Sequence, residues 1–151
     1  MKLFKFSSFS IVLLLTIVFF SCQKRALRID LSNIVNCHQN NPHDSLDIIQ
    51  QLNNATWQLF THQGFDEKSE NMKNRNILLN ITNGYFTISE NGFQLFAGPF
   101  AIERNQDDPS YFQIVKNETS YMGGKIIICN DQLLFHDSYR DADDNLFKKL
   151  K

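Results

Sequence analysis

An all-β domain is what this sequence predicts, and three observations predict it. Beyond Asn54 the apolar residues alternate with polar ones in short runs, the period of a half-buried strand. Asn-Gly and Asn-Asp pairs punctuate those runs where a tight hairpin requires residues that tolerate positive φ. No helical stretch separates one run from the next, so about eight or nine short strands follow one another through turns, the pattern of a sandwich or a barrel.

The elements follow in order. Residues 23 to 43 carry no sustained apolar period, and "NCHQNNPHD" has turn composition, so this stretch reads as a tether. Asp44 is placed to cap a short amphipathic helix, "SLDIIQQLNN", with Asp47 in its first turn and Leu46, Ile48, Ile49 and Leu52 as its apolar positions. "TWQLFT" sets Trp57 and Leu59 on one side and Gln58 and Phe60 on the other. Residues 62–75 form the longest polar connection, a candidate flap over one end of the domain. "NILLNIT", Asn83-Gly84 and "YFTIS" make a hairpin. "ENG" leads into "FQLFA", where alternation puts Phe93, Leu95 and Ala97 on one face. Gly98-Pro99 marks a corner before "FAIER". "YFQIVK" is a strand, "KIIIC" and "QLLFHD" pair about Asn130-Asp131, and "LFKKL" closes the domain.

The start of the chain is of another kind. Lys2 and Lys5 precede an apolar run, Ile11 to Phe20, broken only by Thr16, which is the layout of an export signal. The run is short for a membrane-spanning helix, which needs about 20 apolar residues. "Phe19-Phe20-Ser21-Cys22" resembles a bacterial lipobox, whose cysteine becomes the lipidated first residue of the mature protein. That resemblance implies a signal peptide over residues 1–21, a lipid-anchored tether over 22–43 and a domain over 44–151. It also implies a membrane attachment through acyl chains, such as palmitate, on Cys22. The residues after it, "QKRALR", lack the acidic cluster that resembles a surface-export signal, so the expected place is the periplasmic side of the outer membrane.

Without residues 1–21 the chain has 13 basic and 16 acidic residues, a net charge of −3, and no basic patch beyond Lys24, Arg25 and Arg28. Nucleic acid is therefore excluded as an expected partner. The chain has three cysteines. With Cys22 lipidated, Cys37 and Cys129 form the pair available for a disulfide; the alternative is a buried free thiol at Cys129. The Asn-x-Ser/Thr triplets at Asn54, Asn80 and Asn117 are chance products of a chain with 16 asparagines.

A short helix leading into a first strand that bears the chain's only tryptophan is similar to the opening of a lipocalin barrel. In that family a late arginine is set against the tryptophan, and Arg140 is its counterpart here, a pairing with a cation–π rationale. With the leader, the chain most resembles the small lipocalin-like lipoproteins of Bacteroidota-type bacteria. The resemblance implies a small antiparallel up-and-down barrel of about eight strands preceded by one short helix. It also implies a binding protein that takes a small apolar ligand or a peptide at the open end. Phe86, Ile88, Phe93 and Phe112 are the expected pocket lining.

Three constellations invite chemistry and decline it. "His136-Asp137-Ser138" has the residue types of a hydrolase triad, but strand alternation turns Asp137 away from His136. "Asp141-Ala142-Asp143-Asp144-Asn145" has the first oxygen positions of a calcium loop without its glycine or its twelfth-position glutamate, so it reads as a solvated turn. Cys37, His38 and His43 lack zinc spacing. No catalytic residue, metal or cofactor is expected. Several strands carry bulky residues on both faces, such as Tyr85 beside Phe86 and Leu95 beside Phe96. That implies either a helix over part of the outer face or an exposed surface that binds another envelope protein. A filled interior would favour this second role.

Overall fold

A computed structural model describes residues 31–41, 43–53, 55–64, 70–115, 119–137 and 142–150. Cys22, Arg140, Ser138 and Asp141 lie outside these residues, as do the leader and the sequon asparagines Asn54 and Asn117. Two helices, α1 (Ser32–Asn40) and α2 (Ser45–Leu52), precede ten strands. These are β1 (Ala55–Gln63), β2 (Glu70–Asn71), β3 (Ile77–Thr82), β4 (Tyr85–Glu90), β5 (Phe93–Pro99), β6 (Ile102–Arg104), β7 (Phe112–Ile114), β8 (Lys125–Cys129), β9 (Gln132–His136) and β10 (Asp144–Lys149).

The strands form one curled antiparallel sheet in the order β5-β4-β3-β1-β10-β9-β8-β7-β6, with β2 paired to β1. Neighbours in the order are neighbours in sequence, apart from β1, which pairs with both β3 and the last strand. This is the up-and-down arrangement of a lipocalin-like barrel, not two stacked sheets. β5 and β6 lie at opposite ends of the order, yet only Phe100 and Ala101 separate them. Phe100 N–H donates to Gly84 O beside β4, and Val115 N–H donates to Ala101 O beside β7, each at 2.8 Å. A single extended segment thus leaves one edge strand and joins the other.

Local chemistry explains the turns. Asn83-Gly84 and Asn91-Gly92 have positive φ at both residues (51° and 72°, then 51° and 84°), the geometry that matches a hairpin's twist. Asn130 follows suit at 53° between β8 and β9. Asp44 caps α2 as expected: its carboxylate accepts from Asp47 N–H at 2.8 Å, and the Asp47 carboxylate accepts from Asp44 N–H at 3.4 Å.

Two expectations are corrected. The tether contains α1, a helix with no side-chain cap, made of residues with modest helix propensity. Tertiary contacts hold it: Cys37 is bonded to Cys129 on β8, with Cα atoms 5.9 Å apart, and Ile34 is buried against Ile127, Leu134 and Leu146. The polar connection after β1 is partly folded. Asn71 pairs with Thr61, Glu70 pairs with His62, and Met72 is buried with its N–H donating to Phe60 O. Residues 65–69 lie outside the description.

The sheet therefore has two apolar faces. Its inner face packs Trp57, Leu59, Leu79, Ile81, Phe86, Ile88, Phe135 and Phe147 around one core, to which α2 adds Ile48 and Leu52. Each such aliphatic side chain contributes about 1.5–3 kcal/mol by leaving water. The outer face of β8, β9 and β10 is covered by α1. The bulky residues on both faces of these strands are thus explained by a helix, though by α1 and not by the one read from the sequence.

Candidate functional site

The four residues expected to line the pocket do not share one environment. Phe86, Ile88 and Phe112 are buried members of the packed core, whereas Phe93 is 78% exposed. Phe93 pairs with Glu90 on the Ile88 face but sits at the hairpin end beside Asn91-Gly92, past the core; the strand also departs from strict alternation at a bulge. Ile88 pairs with Phe96, but Ser89 pairs with Gln94, so Leu95 is an extra residue on β5. Paired residues share a face, so Phe96 lies on the Ile88 side and Ala97 on the Thr87 side. The bulge shifts the phase, so Phe93, Leu95 and Ala97 do not share a face.

What β5 offers instead is an edge. It pairs with β4 alone, carries no charged residue, and exposes Phe93, Leu95 (41%) and Phe96 (41%), with Tyr85 (52%) on the adjoining strand. Edge strands are ordinarily protected by charges, above all lysine, because their unpaired N–H and C=O groups template further pairing. Phe96 also meets the half-buried Tyr121 edge-on, with ring centroids 6.1 Å apart.

Close to that contact a cavity of about 270 Å³ opens, lined by His62, Glu70, Met72, Arg75, Tyr121 and Asp143 among others. Arg75 and Asp143 in this lining each have a partner, Glu90 beside the cavity and His62 within it. Arg75 donates to both Glu90 carboxylate oxygens, at 2.7 and 3.1 Å, and that bond holds the Glu90 carboxyl below its ordinary range and raises the guanidinium. His62 Nε2 lies 3.8 Å from Asp143. The lining is polar, unlike the apolar pocket expected at the barrel mouth.

The sequence triad resolves differently. His136 Nδ1 lies 3.0 Å from Asp144 Oδ1, and Asp137 N–H donates to the same oxygen at 2.9 Å. The carboxylate beside the imidazole is therefore Asp144, which the linear motif does not contain. Asp144 and Asn145 are buried at the start of β10, so this part of the segment read as a solvated turn is strand. Among the described residues, no group of three or more His, Cys, Asp or Glu is placed to hold a metal ion. Of the three tether residues considered as ligands, Cys37 is in the disulfide and His38 serves the sheet.

That last role was not legible in the sequence. β7 pairs with β8 only at Ile126 and Lys125, which leaves the Ile128 backbone beyond it without a strand. His38 takes the vacant place: Ile128 N–H donates to Nδ1 at 3.2 Å, and Ile128 O lies 3.1 Å from the same nitrogen. Removing a partner of buried backbone groups costs about 1–3 kcal/mol, the loss expected for His38→Ala in urea titration. Burial pulls the His38 imidazole below its ordinary 6.5, more than its bond to Ile128 raises it. The unfolded chain then takes up the proton first as pH falls through about 6.5, so stability declines below that pH. His38→Asn should flatten that part of the pH–stability curve.

No protein-family model, no curated protein and no solved structure matches the chain.

Proposed function

We propose that the chain is a lipid-anchored, periplasm-facing protein of the outer membrane that binds another envelope protein through the β5 edge, without catalysing a reaction. The occupant is an extended, apolar segment of the partner polypeptide, added to the sheet as a further strand. The carrying observation is the combination of a filled interior with an uncharged, singly paired β5 bearing Phe93, Leu95 and Phe96. Main-chain hydrogen bonds would supply affinity in such a complex, and the exposed aromatics selectivity. The Cys37–Cys129 disulfide supports an oxidising compartment outside the cytosol. The lipobox-like Cys22 supports the anchor.

A photo-crosslinking residue at position 93, introduced into the full chain in its native host, tests the reading. Cross-links should map to one short apolar segment of a membrane-fraction protein. Leu95→Lys should abolish them at unchanged melting temperature. Cys22→Ser should move the protein from the membrane fraction to a soluble or unprocessed form. Saturable, stoichiometric uptake of N-phenyl-1-naphthylamine, lost in Phe86→Ala, would instead show an interior ligand site and sink the edge reading.

A further inference from the structure

A second cavity, of about 310 Å³, sits where α1 ends, lined by His38, Gln39, His43, Arg104, Ser110 and Tyr111. It shares no residue with the β5 edge. The Gln51 amide N–H donates to His43 Nδ1 at 3.2 Å. An imidazole that accepts at Nδ1 carries its proton at Nε2, so the neutral His43 ring keeps an N–H donor there. Tyr111 Oη accepts from Gln39 Nε2 at 2.8 Å, which leaves its own hydrogen to donate.

Arg104 adds the charge. Its guanidinium carbon lies 4.2 Å from the centroid of the Phe112 ring, and among the described residues its one hydrogen bond runs to Pro109 O at 3.1 Å. Four of the five N–H groups stay uncommitted to that bond. Among the described residues, no carboxylate lines the cavity. The nearby Asp108 is occupied by Ser110 Oγ and by Lys125 Nζ, the latter at 3.2 Å.

The uncommitted N–H groups of Arg104, with the His43 and Tyr111 donors beside them and no carboxylate among the described lining residues, suit an acceptor, and we infer that this cavity binds a small anion carrying a carboxylate or a phosphate. The volume corresponds to about ten water-sized shares, room for a ligand of that order of non-hydrogen atoms. The His38 and Tyr111 rings in the lining stack 5.5 Å apart and 12° from parallel. The anion has two sources: a free solute, or the phosphate of a lipid headgroup, since α1 begins ten residues after Cys22.

Calorimetric titration of the Cys22→Ser chain with inorganic phosphate and with benzoate tests the site. Cosedimentation with phosphatidylglycerol or phosphatidylcholine vesicles separates the sources. Saturable binding of either solute, mutually competitive and weakened at least tenfold by Arg104→Gln, supports a soluble anion. Pelleting with phosphatidylglycerol alone, lost in Arg104→Gln, supports a headgroup. Arg104 is exposed, so the variant should keep the native near-ultraviolet circular dichroism. No saturation up to millimolar solute and no pelleting, or equal affinity in both chains, would overturn the inference.

Discussion

Trp57→Ala should lower the unfolding free energy by about 3–5 kcal/mol, a large share of the 5–15 kcal/mol that holds a typical domain together. The indole is fully buried on β1, the strand that joins the two halves of the sheet by pairing with β3 on one side and β10 on the other. Its loss leaves a void that Leu79, Phe86 and Phe147 can fill only by leaving their packing. The indole Nε1 is buried with no hydrogen-bond partner among the described residues, so a phenylalanine there forfeits volume but none of their bonds. Trp57→Phe should therefore cost much less than Trp57→Ala. Among the described residues, the cation near this ring is Lys149, its register partner on β10, 5.8 Å from the ring centroid. At that distance Lys149→Ala should cost no more than about 0.5–1 kcal/mol, less than additively with Trp57→Ala. Urea midpoints read these values at constant slope. A loss of under about 1 kcal/mol in Trp57→Ala would remove the indole from the centre of the core.

The elements governed by local chemistry could be read from the sequence; those governed by distant contacts could not. Asn83-Gly84 and Asn91-Gly92 announce their hairpins because few other residues accept positive φ twice in succession. Asp44 announces α2 because a cap acts within one turn. Nothing within Ser32–Asn40 announces α1. Its helical state depends on β8 and β9, about 90 residues away in sequence, and its apolar face is only Ile34 and its neighbours. The candidate site failed in the same way. Strict alternation counts Leu95 as an ordinary residue, and a bulge is a property of the pair, decided by how β4 and β5 twist together. Phe93 keeps the Ile88 face through its pairing with Glu90, yet at the hairpin end it lies beyond the core that Phe86 and Ile88 fill, which alternation alone does not tell. Likewise His38 acquires its partner only because β7 is short, which its own surroundings do not encode.

Breaking the Cys37–Cys129 bridge should have an effect as large as losing the tryptophan. The bond closes a loop over a sequence separation of 92, and the chain-entropy relation for such a loop gives about 4–5 kcal/mol, near the top of the 2–5 kcal/mol seen when native bridges are removed. The loss should also be local. A nine-residue helix is too short to persist alone in water, so without its covalent tie α1 depends on Ile34, Leu31, Val35 and the His38 bonds to Ile128. Cys37→Ala/Cys129→Ala should lower the urea midpoint and speed amide exchange throughout α1 before it does so in β1 and β3. Release of the helix would bare Ile127, Leu134 and Leu146, so binding of an apolar dye should rise in the same variant. Dithiothreitol acting on the wild-type chain should reproduce both changes. Equal midpoints for the oxidised and reduced chains would show that α1 is held by packing alone. The disulfide would then no longer argue for an oxidising compartment, and the exported, anchored reading would rest on the leader by itself.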